Sequence, residues 1–316
     1  MGISETEDMS PVLVFAPAPQ LTVTIEQAHD APELHVHAGG QGVWQARMIT
    51  ELGAEVVLVA AVGGEVGTVL ASLLEMERAT VRTVTGQSGS GWYVHDRRGG
   101  QREEVAERPG PPMSRHVLDE LYSIAIAEGL KAGLAVLSGP AHPSVVQPSV
   151  YRRLARDLTA NGCRVIADLS GEHLAAVLDA GVAVVKVSHE ELIDDGRAAD
   201  DSTAELVKAL HRLRDDGAEA ALVSRADAGA LALIDNRAYE VGMPKMTAAE
   251  TRGAGDSMTA GVAAVLARGG EMCEAVRTGA AAGALNVTRH GLGTGHLDAV
   301  QVLTERVKLT PIKKAR

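Results

Sequence analysis

What most constrains this chain is a repeated alternation of short, nearly uninterrupted apolar runs with amphipathic segments. "EVVLVAAV" from Glu55 leads into "GTVLASLLEMER", and "LAVLSG" from Leu134 leads into "SVYRRLARDLTANG". "CRVIADL" from Cys163 precedes "GEHLAAVLDAG", and "VAVVKVS" from Val182 precedes "HEELIDD". A strand that is apolar on both faces must be covered on both, and amphipathic helices between such strands do that for a parallel sheet. The pattern therefore predicts an α/β fold, a mostly parallel sheet with helices on both faces. Its core must rest on Ala, Val and Leu, because 46% of the residues are hydrophobic but only 2% aromatic.

Two stretches break the rhythm. "TVTIEQ" with "ELHVHAG", and "WYVHDRRGGQREEVAER", alternate polar with apolar residues as strands wetted on one face do. "RRGGQ" at 97–101 suits a hairpin turn. These predict a small β-sheet lid formed from about 19–38 and 84–108, projecting from a single domain over 1–316. No linker, repeat or low-complexity stretch argues for a second domain.

Thirty basic against forty-one acidic residues give a net charge of −11, which disfavours a nucleic-acid backbone as partner. Cys163 and Cys273 make neither a disulfide framework nor a metal cluster and read as buried thiols. The apolar runs are too short to span a bilayer, and the acidic N-terminus lacks the apolar core of a secretory signal. Gly2 and Thr6 fit a loose myristoylation pattern with no basic patch or second anchor after it. The expectation is a soluble cytoplasmic protein with no membrane partner.

Two glycine clusters carry chemistry. In "TRGAGDSMTAGVAAVLARGG", Gly253, Ala254 and Gly255 open an Ala-rich helix and Asp256 follows them. Small residues there leave the amides of the helix N-terminus open to a ligand, and the helix dipole adds about half a positive charge. That combination stabilises an anion such as a transferring phosphoryl group, while Asp256 can accept a proton from an attacking hydroxyl. The same residues would also serve a close-packed helix start capped by Asp256. In "HAGGQGVWQARMITELGA", Gly39, Gly40 and Gly42 precede a helix whose buried face reads Val43, Ala46, Ile49 and Leu52, stopped by Gly53. It is neither a dinucleotide fingerprint nor a phosphate loop of the G-x-x-x-x-G-K-[ST] kind, but it could hold a small polyol close to the backbone.

Taken together and in order, these segments resemble the ribokinase-like, PfkB-type carbohydrate kinases, and within them the 1-phosphofructokinase and tagatose-6-phosphate kinase branch. The resemblance runs from about Val12 to Val307. "GGQGVWQAR" with "LG" is similar to the family's GGKGxNxAR…LG, and "TRGAGDS" to its TxGAGDS. "VLSGP", "ADLSGEHL", "VKVSHEEL" and "VSRADAGA" fall where the family has SGS, DxSGxxL, IKPNxEEL and VSLGxxGA. The resemblance implies ATP-dependent phosphoryl transfer to a hydroxyl of a sugar or sugar phosphate. It implies Asp256 as base and Gly253, Ala254 and Gly255 as anion hole. It implies Lys186 near the ATP phosphates, Glu191 ordering water around Mg²⁺ beside Ser188, and Thr251, Ser224, Gly229 and Asn286 around the nucleotide. A monovalent cation and a homodimer through the lid are further possibilities within the family.

The departures concentrate at the acceptor end. Thr22 stands where the family carries an Asp for sugar hydroxyls, Gln41 where it carries a Lys, and Trp44 where it carries an Asn. Ser188 and Ala226 replace an Asn and a nucleotide-loop Gly, and the lid arginine of GxTR has no clear counterpart. Gly39, Gly40, Gln41, Trp44 and Thr22 are thus the expected acceptor residues. Arg97, Arg98, Arg102, Arg108 or Arg252 could supply the missing positive charge. Trp44 either fills space behind the glycine loop or stacks on a ring, which leaves a neutral sugar or nucleoside as the alternative acceptor. A non-catalytic ligand-binding member of the fold is the alternative from another class. His35 and His37 share a strand face without a third metal ligand, so they are expected on a lid face or interface rather than at a metal.

Overall fold

The computed structural model describes residues 10–29, 31–247, 251–289 and 292–313; the Gly2 and Thr6 pattern lies outside them. The chain begins with β1 (Val12–Phe15), passes through β2 (Gln20–Ala28) and β3 (Ala31–Gly39), and continues with α1 (Gln41–Glu51) and β4 (Val56–Gly63). Next come α2 (Gly64–Leu73), β5 (Ala79–Gly86) and the hairpin β6 (Gly91–Asp96) and β7 (Glu103–Arg108). The regular repeat then runs through α3 (Arg115–Ala132), β8 (Leu134–Ser138), α4 (Pro148–Ala160), β9 (Arg164–Asp168) and α5 (Gly171–Leu178). It continues with β10 (Val182–Ser188), α6 (His189–Asp194), α7 (Thr203–Asp215) and β11 (Ala218–Ser224). The described chain closes with β12 (Ala230–Ile234), β13 (Arg237–Gly242), α8 (Ala254–Ala267), α9 (Met272–Asn286), α10 (Leu297–Thr304) and β14 (Lys308–Pro311).

The large sheet has the order β14-β13-β12-β11-β10-β9-β8-β1-β4-β5. Its pairs from β5 across to β11 are parallel, and β12, β13 and β14 add an antiparallel end. Two separate cores cover its faces. One joins α1, α8 and α9 through residues such as Ile49, Val262 and Ala281, and the other joins α3, α4 and α7 through Leu121, Leu154 and Leu210. β4 is buried at every position, as its unbroken apolar sequence predicts. The sole phenylalanine, Phe15, is fully buried and meets Tyr151 edge-on at 5.7 Å. Ala, Val and Leu supply nearly all the rest of both cores.

The small sheet has the order β3-β2-β6-β7, and β2 alternates buried and half-buried residues as a one-faced strand does. Its second contribution is the hairpin over 91–108. β5 instead pairs residue for residue with β4 as far as Gly86, so 84–86 lie in the large sheet. Cys163 is buried and Cys273 half-buried, both as free thiols, and burial pushes the Cys163 thiol up to about 11. Among the described residues no helix is long and apolar enough to cross a membrane.

The topology fixes where a site can form. From β1 the large sheet grows through β4 and β5 on one side and through β8 to β11 on the other. At such a switch the connections leave in opposite directions and open a crevice beyond the carboxyl ends of the strands.

Candidate functional site

Three adjacent strands deliver polar residues to that crevice. Ser138 ends β8, Asp168 ends β9, and Lys186 lies near the end of β10, with Ser138 opposite Asp168 and Asp168 opposite Lys186. Asp168 is 1% exposed, and such burial of a carboxylate requires partners. It has them. Its Oδ1 lies 3.3 Å from Lys186 Nζ, and its Oδ2 accepts from Gln45 Nε2 at 2.8 Å and Thr259 Oγ1 at 2.6 Å. Ser138 Oγ donates in turn to Gln45 Oε1. Burial raises the Asp168 carboxyl above its ordinary range, against the pull of Lys186 and Thr259. Sequence reading assigned Asp168 no role. The available signal was a single acid closing the otherwise apolar strand of "CRVIADL".

The N-terminus of α8 stands over this cluster. Gly253, the residue before the helix, has φ 75°, a left-handed conformation that favours glycine. Gly255 is required for a different reason: a Cβ there would lie 2.4 Å from Lys186 Nζ. Among the described residues, no acceptor pairs with the amides of Gly253, Ala254 and Gly255. Asp256 sits in the first turn and is 9% exposed. Burial, then the charge of Asp168, push its carboxyl up to about 7, while Lys186 and a hydrogen bond from Gln41 act the other way. Lys186 is itself buried, which lowers its affinity for a proton. Asp168, then Asp256 and Glu191, outweigh that burial and hold the ammonium above its ordinary value.

The nucleotide-side residues divide into two groups. Ser188 caps α6: its Oγ accepts from the Glu191 amide at 3.1 Å, and its own amide donates to Glu191 Oε2 at 2.7 Å. That reciprocal capping box holds the Glu191 carboxylate beside Lys186. Ser224 ends β11, and its carbonyl lies 3.2 Å from His189 Nδ1. The tight turn that follows runs to Gly229, whose carbonyl accepts from the Arg225 amide at 2.8 Å. Inside it Ala226, where the family pattern has glycine, takes φ 48°. Thr251 is exposed at the entrance to the α8 loop. Asn286 is fully buried. It donates to the Arg252 carbonyl at 2.8 Å and accepts from the Gly293 amide at 3.1 Å, so it ties α9 to the loop that carries the glycines.

On the other side of Asp256, a cavity of about 430 Å³ opens between the body and the small sheet. Gln41 forms part of its wall. The Gln41 side chain lies beside Asp256, where it favours the ionised carboxyl, and its Oε1 accepts from the Gly139 amide at 2.9 Å. Gly40, at the start of α1, also lines it, whereas Gly39 packs behind on Thr22. Trp44 lines the cavity rather than filling space beneath the loop. Of the five candidate arginines, Arg102 and Arg252 face it, on Tyr93 at 5.0 and 5.8 Å from the ring centre. Arg98 is half-exposed and paired with Asp96, and Arg97 lines a neighbouring cavity near Glu26. Two acids, Glu104 and Glu107, share the wall with the arginines.

The neighbouring cavity, about 400 Å³, takes Thr22, His35 and His37. The two imidazoles stack at 6.2 Å on the inner lid face, and His35 lies 3.5 Å from Glu33. Thr22 is buried there, and its Oγ1 has no partner among the described residues. Gln20 is the β2 residue that lines the cavity containing Gln41, and its amide nitrogen is buried without a partner among the described residues. Sequence reading did not single it out; it named Thr22, two residues further along the same strand face, which lines the neighbouring cavity.

Comparison with known proteins agrees with this layout. The model of the pfkB family carbohydrate kinases matches residues 17–299. The ATP-dependent 6-phosphofructokinase isozyme 2 of Mycobacterium tuberculosis is 28% identical over 301 residues, 92% of this chain and 87% of its own. The 1-phosphofructokinase of Bacillus subtilis is 27% identical over 276 residues, 87% of this chain and 88% of its own. Solved structures of phosphofructokinase-2 from Escherichia coli, one in complex with fructose-6-phosphate and one with potassium, superimpose with TM-scores of 0.81 and 0.83 at 26% identity. Each covers 94% of this chain and 99% of the other. A matched family model over most of the chain, with a ribokinase-like sheet and a small lid, means that the chain belongs to the pfkB family of carbohydrate kinases.

Proposed function

We propose that this enzyme transfers the γ-phosphoryl group of ATP to a hydroxyl of a sugar phosphate, with Asp256 as the base. The observation that carries the reading is a buried carboxyl held near neutrality at the open amides of a helix N-terminus. A base is most effective when its pKa lies near the working pH. The acceptor hydroxyl gives its proton to Asp256 as its oxygen bonds to the γ-phosphorus. The bond from that phosphorus to the bridging oxygen breaks, and ADP leaves. Gln41, anchored to the Gly139 amide, stands beside Asp256 and favours its ionised form. The amides of Ala254 and Gly255, with the helix dipole, stabilise the negative charge on the moving group.

The nucleotide fits this donor set. Unpaired amides and the ammonium of Lys186 suit phosphate oxygens, and Glu191, held by Ser188, suits the water shell of a Mg²⁺ ion. Such an ion takes only one or two carboxylates besides phosphates and water, and when bound it neutralises phosphate charge. A potassium complex among the structural neighbours supports including a monovalent cation in assays.

Two cationic groups, Arg102 and Arg252, flanking the Gln41 cavity favour a phosphorylated acceptor, in keeping with the phosphofructokinases among its relatives. The alternative, a neutral sugar or nucleoside stacked on Trp44, is favoured by Trp44 and Tyr93 lining the same space. Exposed Leu34 and Val105 on lid strands support a homodimer through the lid. The test is ATP consumption with phosphohexoses, their unphosphorylated forms and nucleosides. A preference for the phosphorylated sugars that is lost in Arg252→Ala supports the reading, and indifference to the phosphate contradicts it.

A further inference from the structure

A third cavity, about 420 Å³, lies beyond Gln20 on the side away from the arginines, and the mechanism above does not use it. It is bounded by the ends of β4 and β5 and by two of the connections between the lid and the body, residues 87–91 and 110–114. It meets the acceptor cavity at Gln20 and Ala141, which line both.

Its chemistry differs from that of the acceptor cavity. Among the described residues no Lys, Arg, Asp or Glu lines it; its walls are backbone, serines and apolar side chains such as Val62, Met113, Val117 and Val145, with His116 at one side. At the junction the Gln20 side chain is 7% exposed, and its Nε2 donor has no partner among the described residues. A buried donor left unpaired is costly, on the order of 1–3 kcal/mol, so an occupant offering an acceptor atom gains from meeting it. An anion entering this cavity would meet no Lys or Arg side chain, only His116 and the helix starts at Gly63 and Ser114, whereas an uncharged group with a carbonyl oxygen and an apolar end satisfies both Gln20 and the apolar walls.

We infer that this cavity is a specificity subsite for an uncharged, carbonyl-bearing substituent on the acceptor, of which an acylamino group is the simplest chemical form. The inference rests on the kinase reading above and adds the substituent to it. The acceptor class is then an acylamino sugar phosphate, with its phosphate toward Arg102 and Arg252 and its acyl group beyond Gln20.

The experiment compares matched pairs, glucose 6-phosphate against N-acetylglucosamine 6-phosphate and galactose 6-phosphate against N-acetylgalactosamine 6-phosphate, with fructose 6-phosphate alongside. Turnover with ATP and the shift in melting temperature on adding each sugar are both read. The acetamido member of at least one pair should exceed its plain partner by about tenfold in kcat/KM, the usual yield of one hydrogen bond and one buried methyl. The melting shift should follow the same order. Gly89 lines the cavity and has open space at its Cβ position, so Gly89→Leu should remove the preference and leave the plain sugar unchanged. Plain sugars equal or superior in both pairs, by turnover and by melting shift, would overturn the subsite. So would a Gly89→Leu variant that keeps the preference. Failure of every sugar to support turnover, with the acetamido compounds still giving the larger melting shift, would instead contradict the kinase reading and leave the subsite standing.

Discussion

A β-carbon at Gly255 would lie 2.4 Å from the ammonium nitrogen of Lys186, so the turn that opens α8 and the lysine on β10 are mutually dependent. The lysine is held there by Asp168 at 3.3 Å. Gly255→Ala should therefore displace the ammonium while leaving the helix intact, because the colliding atom is the end of a flexible side chain. Steady-state kinetics should show kcat reduced by roughly tenfold or more. The melting temperature should change little.

The Asp256 carboxyl, near 7, sets a pH dependence. Only the ionised form accepts a proton, so kcat/KM should rise with pH and level off above about 7, with a slope of roughly tenfold per unit on the acid side. A pH profile taken in a mixed buffer of constant ionic strength checks this. A flat profile from pH 5 to 8 would contradict the assignment.

The same shift has a consequence for stability. The folded-state value lies above the unfolded one, so between about pH 4 and pH 7 the unfolded chain has released a proton that the native chain still holds. Stability contributed by this group is present below pH 4 and is lost as pH rises toward 7. Asp256→Asn removes that dependence. Its stability relative to the wild type should increase across this window and plateau above it, at a level on the order of a few kcal/mol, since each unit of pKa is about 1.4 kcal/mol. Denaturant melts at pH 4, 6 and 8 measure it.

Ala226 holds a left-handed φ of 48° in an exposed turn beside the nucleotide-side strand end. An alanine there costs about 1–2 kcal/mol relative to its preferred conformations, and glycine does not. Ala226→Gly should raise stability by about 0.5–1 kcal/mol, reduced by the extra freedom glycine gives the unfolded chain. Activity should be retained.

Much of this was legible in the sequence for physical reasons. Unbroken apolar runs such as "VVLVAAV" leave a strand no exposed face, so the parallel sheet and its two helical layers followed. Gly253, Gly255 and Asp256 stood out as candidates because a helix start made of such small residues leaves its first amides open beside a carboxylate. What could not be read depends on contacts distant in sequence. Asp168 acquires its meaning only beside Lys186 and Thr259, 18 and 91 residues away. Choosing Arg102 and Arg252 among five arginines required the fold of the lid over Tyr93. Gln20 was not singled out because residues two apart on β2 share one face, and which cavity under that face each of them lines depends on how the lid packs on the body.

The central claim is that Asp256 takes the proton from the acceptor. The direct measurement is single-turnover phosphoryl transfer from ATP to a phosphohexose by wild type and Asp256→Asn, with nucleotide binding measured in parallel. The account predicts transfer slowed by about 10²- to 10⁴-fold in the variant, with ATP still bound. Transfer within a few fold of the wild-type rate would contradict it.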